Sequence, residues 1–302
     1  MPHPALHPLR LLRLALVTSG LAISLGGGGL HSADAQPDPH DPKLAIPDSL
    51  RGRSGRLKAR IVRPESPGEP VPVLLHAPTG QHTVLLVRDA STNEPFHFIQ
   101  LVPFAVKRDG RVGVYRVGRW PAEVRRPLSP AYDLPPGFIE VTEANQDVRI
   151  STHFRLRDFL NRDQPEIWPK PLVLDARLVD KLELVVDELL MAGHAVNGLT
   201  VLSGFRTPRA NARGARSARS PESRHQYGDA ADVIVDVNGD GRMDDLNGDG
   251  RSDHRDAEVF VEAIDRVEAK YPDLVGGTGL YRNTAAGGTF IHVDARGSRV
   301  RW

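Results

Sequence analysis

Hydrophobic positions change their period more than once along this 302-residue chain. An unbroken apolar run, Leu14 to Leu25, follows Arg10 and Arg13 and leads to Ala33-Asp34-Ala35. Between residues 55 and 120 the pattern is five short runs, GRLKARIV, PVPVLLHA, HTVLLVRD, FHFIQLVPF and RVGVYRVGRW, rich in β-branched and aromatic residues and separated by Pro, Gly and Asn. Such runs predict strands, here of a small β-sandwich or barrel. Beyond residue 150 the period lengthens. Leu178, Leu182, Val185, Val186 and Leu189 recur at helical spacing, with Gly193 as a stop. HFRLRDFLNR predicts a short helix and AEVFVEAIDRVEAKY a longer one. GLTVLSGF, DAADVIVD, GTGLY and TFIHVDA predict strands. Helices and strands drawn from separate stretches describe an α+β fold, not a doubly wound one.

These shifts divide the chain. Residues 1–35 have the charged, apolar, small-residue order of a secretory signal, with cleavage after Ala35. An uncleaved anchor is the alternative, but the run is short for a bilayer span and Gly26 to Gly29 breaks it. Residues 36–48 read as a disordered Pro/Asp-rich leader, 49–120 as the β-rich domain, and 121–137, with five prolines, as a linker. The last domain, 138–302, carries an acidic insertion at 236–256. Lys+Arg and Asp+Glu nearly cancel, giving a net charge of +1, and this gives no support for a general nucleic-acid binder. Cysteine is absent, so disulfides, thiolate metal sites and a cysteine nucleophile are excluded. The mature chain is expected to be soluble, periplasmic or secreted, without stable membrane insertion.

Any metal must therefore be held by nitrogen and oxygen. His225 and Asp232 form H-x6-D, and His292 and Asp294 lie two apart on a predicted strand, on one face of it. Two imidazoles and a carboxylate can hold zinc with one coordination position open, as hydrolytic sites require. SGFRTP (Ser203 to Pro208), SRHQYGDAAD (Ser223 to Asp232) and GGTGLY, FIHVDARG and RW (Gly276 to Trp302) occur around these residues in order.

Together these motifs resemble the zinc peptidases of the D-alanyl-D-alanine carboxypeptidase family, whose fold is shared with lysostaphin-type enzymes and the hedgehog signalling domain. The resemblance covers residues 138–302. It implies a hedgehog/D-Ala-D-Ala-peptidase-like α+β domain with His225, Asp232 and His292 as zinc ligands. It also implies that Arg206 holds a substrate carboxylate and that Ser223 contacts substrate or orients a ligand; a structural ion pair and a turn residue are the plainer roles. Several branches of the family place a histidine two residues, or an acid three residues, before the last ligand. Phe290 and Thr289 stand there and neither can take a proton. Asp294 is the substitute base, with a competing role in orienting His292; Glu222 and Asp229 are further stand-ins.

The insertion repeats D-x-N-x-D-G-x-x-D in tandem at Asp236, Asn238, Asp240 and Asp244, then Asp245, Asn247, Asp249 and Asp253, with Asp256 at position 12 of the second copy. Oxygen ligands at positions 1, 3, 5 and 9 with glycine at 6 suit structural calcium. The alternative is a solvated acidic loop with seven Asp against three Arg. Arg206, Arg209, Arg213, Arg216, Arg219 and Arg224 read as a basic cleft mouth for anionic wall polymer, since no aromatic is interleaved for base stacking. Gly276 to Gly279 lacks the following helix a phosphate loop needs.

The expected function is an exported zinc metallopeptidase acting on peptidoglycan stem peptides or crosslinks. A catalytically silent, zinc- and calcium-stabilised wall-binding module is the second expectation. A calcium-dependent adhesion protein, the third, leaves the zinc motif unexplained.

Overall fold

The computed structural model describes residues 41–63, 84–213, 220–284 and 288–302. The expected signal peptide, the run PVPVLLHA, Arg216 and Arg219 lie outside the described residues, as does the expected leader up to residue 40. The fold is mixed α+β, with few helices and several sheets.

The strands are β1 (Lys43–Leu44), β2 (Ala59–Val62), β3 (Val84–Asp89), β4 (Pro95–Gln100), β5 (Val102–Pro103), β6 (Arg111–Val112), β7 (Tyr115–Arg116), β8 (Gly137–Val141) and β9 (Lys170–Leu172). Then come α1 (Ala176–Met191), β10 (Thr200–Ser203), α2 (Pro208–Arg213), β11 (Ala230–Ile234), α3 (His254–Lys270), β12 (Gly277–Thr284), β13 (Gly288–Asp294) and β14 (Val300–Arg301).

Among the described residues the β-rich stretch does not close on itself. Its sheet has the open order β1-β3-β4-β2 among the described residues, where a sandwich or barrel was expected. It covers a small core of Ile46, Val62, Val87, Phe96 and Phe98. RVGVYRVGRW, expected as one strand, folds back as the β6–β7 hairpin around Gly113. A larger core runs from Leu57 and Ile99 through Trp120 and Phe138 to Val293, so side chains on both sides of residues 121–137 share it. The 121–137 stretch makes two short 3-10 turns.

α1 forms where its spacing predicts. Asp175 caps its first turn, Gly193 leaves it with φ 87°, and Leu178, Leu182, Val185, Val186 and Leu189 are fully buried. Burying each contributes roughly 2 kcal/mol. α3 begins at His254, three residues before the apolar run. A capping box explains this: Asp253 accepts from Arg255 N, and Asp256 accepts from Asp253 N. HFRLRDFLNR makes only a 3-10 turn, Leu156–Phe159, with Leu156 and Phe159 inside.

The sheet that positions the site has the order β10-β11-β13-β12-β14. α3 packs on β12 and β13, against Ala231, Val233, Ile291 and Val293. Alternation turns Asp232 and His292 to the opposite face.

Candidate metal centre

One row across this sheet builds the centre. Ser203 on β10 pairs with Asp232 on β11, Asp232 with His292 on β13, and His292 with Gly279 on β12. His225 arrives from outside the sheet, on the 3-10 turn Arg224–Tyr227. Gly228 ends that turn with φ 73°, and its Cα lies so close to the Val173 carbonyl that any side chain would collide. From there the chain enters β11, which places Asp232 beside His225.

The three donor atoms converge. His225 Nε2 is 3.1 Å from Asp232 Oδ1 and 3.1 Å from His292 Nδ1, and His292 Nδ1 is 3.1 Å from Asp232 Oδ1. The outer ring nitrogens fix the tautomers. His225 Nδ1 lies 2.7 Å from the Gly204 carbonyl, so it carries the proton. His292 Nε2 lies 3.2 Å from Asp294 Oδ2 and donates to it. Both inner nitrogens then present lone pairs to each other and to a carboxylate. Three acceptors facing one point are unfavourable unless a cation sits there. Their spacing suits one ion with ligand distances of about 2.0–2.2 Å. Among the described residues, His225, Asp232 and His292 form the one group of three ionisable side chains close enough to share an ion, and all three are buried.

The two rings of the group are shifted in opposite directions. Burial pulls His225 below its ordinary range, against the pull of Asp232. Burial would also lower His292, but its hydrogen bonds to Asp232 and Asp294 raise it. Burial would raise Asp232, yet the two histidines hold it well below the usual carboxylate range. Asp294 is likewise held low, by His292 and Arg296 against burial.

Asp294 sits where an orienting group belongs, not a base. It is fully buried behind the His292 ring, accepts from Gly277 N at 2.7 Å, and is forked by Arg296, whose Nε lies 2.9 Å from both oxygens. Its carboxylate contacts the nitrogen that faces away from Asp232, which favours the orienting role weighed for it over the catalytic one. Arg206 takes the ion-pair role that was weighed for it. Its guanidinium pairs with Asp232 Oδ2 while Nε donates to Ser203 Oγ at 2.9 Å. It fixes the carboxylate ligand, which occupies the fork that a substrate carboxylate would need.

A cleft of about 890 Å³ opens over this group. Ser223, Arg206, Glu222 and Tyr132 line it, Tyr132 bringing part of the 121–137 stretch to the site. Glu222 is ion-paired with Arg125. Asp229, the other stand-in, is buried and paired with Arg224, whose Nε is 3.1 Å away. Every described arginine of the basic mouth is ion-paired: Arg209 and Arg213 share Asp163, Arg224 pairs with Asp229, and Arg206 with Asp232. Gly277 to Gly279 are strand residues of β12, as expected of a sequence with no following helix.

In the acidic insertion, Asp236 accepts from Asp240 N and Gly241 N, Asp245 from Asp249 N and Gly250 N, and Asn238 and Asn247 from Asp240 N and Asp249 N. Met243 and Leu246 anchor it in the core. Asp244 accepts from Val237 N, and Arg255 pairs with Asp249. Asp256 is fully buried and accepts from Leu246, Asn247 and Asp253 N, and Asp253 caps α3. The assignment of these two as calcium ligands therefore competes with their use by the backbone.

Sequence reasoning did not find the buried pair behind the centre. Lys181 Nζ, on α1, donates to Glu268 Oε1 on α3 and to the Asp294 carbonyl, each at 2.7 Å. Glu268 also accepts from Gly276 N, at 3.0 Å, and from Arg301. Two charged residues within otherwise buried helix faces were the available signal. No protein-family model, curated protein or solved structure matches this chain.

Proposed function

We propose that this chain is an exported, zinc-dependent peptidase that hydrolyses peptidoglycan stem peptides or their crosslinks, as a carboxypeptidase or endopeptidase. The observation that carries the reading is the convergence of three buried donors, lone pairs inward, on the wall of a cleft large enough for a peptide. The SGFR and SRHQYGDAAD motifs that resemble the D-alanyl-D-alanine carboxypeptidase family supply the substrate class.

His225, Asp232 and His292 would hold the ion. Bound there, zinc supplies Lewis-acid polarisation of a carbonyl and activation of water. Arg206 and Ser203 keep Asp232 in place, while the Gly204 carbonyl and Asp294 keep each imidazole in its ligating tautomer. Glu222 is the cleft carboxylate that is neither in the donor group nor hidden behind it, and it takes the proton-accepting role. Ser223, at the start of the turn that carries His225, contacts substrate. Arg162, exposed on the lining, receives the substrate carboxylate now that Arg206 is engaged. In the same reading the paired acidic loops bind calcium and brace the start of α3.

The test is incubation of purified muropeptides with the zinc-loaded protein and with His225→Ala, read by mass spectrometry. Zinc-dependent release of D-alanine or of split crosslinks, lost in the variant, is the expected result. Absence of any zinc-dependent product would leave a wall-binding module as the better reading.

A further inference from the structure

One side of the cleft is an aromatic wall that hydrolysis of a peptide does not by itself require. Tyr281 and Phe290 are cross-strand partners on β12 and β13, and their rings stack with centroids 4.7 Å apart at 11°. Phe290 lies two residues before His292, so it shares the donor face of β13. Trp302, following β14, lays its indole 5.2 Å from the His292 ring and donates its Nε1–H to the Tyr281 hydroxyl at 3.0 Å.

The arrangement depends on Gly279. This residue stands opposite His292 in the β12–β13 register, and a methyl group there would collide with the indole. The missing side chain leaves the place beside the ligand histidine for Trp302. The wall stays open to solvent: Trp302 is 50 % exposed and Tyr281 37 %.

The chemistry of its rim selects an occupant. An apolar peptide side chain is held by enclosure, and flat, half-exposed ring faces do not enclose. A nucleobase would stack, but the backbone phosphates beside it call for uncommitted cations. Of the arginines that line the cleft, Arg296, Arg206 and Arg224 are already paired with Asp294, Asp232 and Asp229, which leaves the single exposed Arg162 against a run of phosphates. The Arg296 guanidinium carbon lies over the indole, 5.8 Å from its centroid, so one hydrogen-bonding group stands beside the aromatic wall. A pyranose ring has the complementary form, with a C–H face to lie on an aromatic ring and hydroxyl or acetamide groups at its edge.

We propose that Tyr281, Phe290 and Trp302 form a glycan-stacking subsite beside the metal centre, which holds an amino-sugar ring of the polymer. That the sugar belongs to the strand whose peptide is cleaved rests on the peptidase reading; the subsite itself does not.

The test is titration of the full chain with chitotetraose, an N-acetylglucosamine tetramer, followed by tryptophan emission and by calorimetry, with zinc and after chelation. Saturable binding that persists without zinc is expected. Trp302→Ala should weaken it by about tenfold or more, the size of effect seen for aromatic residues that a partner covers on binding, and Tyr281→Ala should weaken it in the same direction while zinc stoichiometry is unchanged. No saturable binding to the unmodified chain, or binding indifferent to both substitutions, overturns the proposal. Should Trp302→Ala fail to fold, Tyr281→Ala and the unmodified chain still decide. Glycan binding without muropeptide cleavage leaves the subsite standing and removes the peptidase; cleavage without glycan binding does the reverse.

Discussion

Asp294 and His292 lie two residues apart on β13, and the Asp294 carboxylate engages the ring nitrogen of His292 that points away from Asp232. The same oxygens are held by Arg296 and Gly277 N. The pair fixes which nitrogen of His292 faces the centre, and this decides what the carboxylate can do.

Replacing Asp294 by Asn should therefore weaken zinc binding about 10- to 100-fold, the usual cost of losing such a partner. Saturating zinc should restore most of the activity. A chelator-competition titration measures the affinity, and kcat at saturating zinc decides the role. Full zinc affinity with abolished kcat would return Asp294 to the base role.

Glu222→Gln should do the opposite. Zinc affinity should be unchanged, while kcat falls by about 10²- to 10⁴-fold, the range for loss of a general base. Unchanged turnover of muropeptides would remove Glu222 from the mechanism.

Lys181→Met should destabilise the fold by roughly 3 kcal/mol, because it strips the buried cation from Glu268 and leaves that carboxylate to the half-exposed Arg299, to Arg301 and to Gly276 N. It also frees the Asp294 carbonyl, so zinc affinity should fall with it. Chemical denaturation and the same competition titration check both effects.

His97, on β4, supplies a pH dependence independent of the centre. Burial pushes its imidazole down to about 4, with Arg88 adding to the effect. The unfolded chain takes up this proton near pH 6.5, whereas the folded chain resists until about 4. The stability it contributes is complete above pH 6.5 and is lost as pH falls towards 4, by at most about 3 kcal/mol. Its Nδ1 has no hydrogen-bond partner among the described residues, so His97→Phe should flatten the acid side of the stability curve. An unchanged slope between pH 6.5 and 4 would assign the acid lability to other groups.

Calcium at the acidic loops should raise the melting temperature by a few degrees at saturating concentration, following the mass-action stabilisation of a bound ion. Chelation should reverse it. Melting curves identical with calcium and with chelator would identify the insertion as a loop held by its own aspartate-to-backbone hydrogen bonds, such as Asp240 N to Asp236.

The sequence by itself determined the local structure. α1, β11, α3 and β13 appear where the periodicity of Leu178 to Leu189, DAADVIVD, AEVFVEAIDRVEAKY and TFIHVDA puts them, because burial of one face sets the spacing of apolar residues. It also indicated His225, Asp232 and His292, since the neighbouring motifs limited what they could do. Only the tertiary structure decided the partners. No spacing rule places Arg206 on Asp232, Lys181 on the Asp294 carbonyl, or Trp302 in the gap above Gly279. Those contacts join residues 26, 113 and 23 positions apart, across strands whose order is not the order of the chain. Which carboxylate faces the candidate metal centre and which stands behind it follows from the strand register and a ring tautomer. Both are properties of the folded sheet.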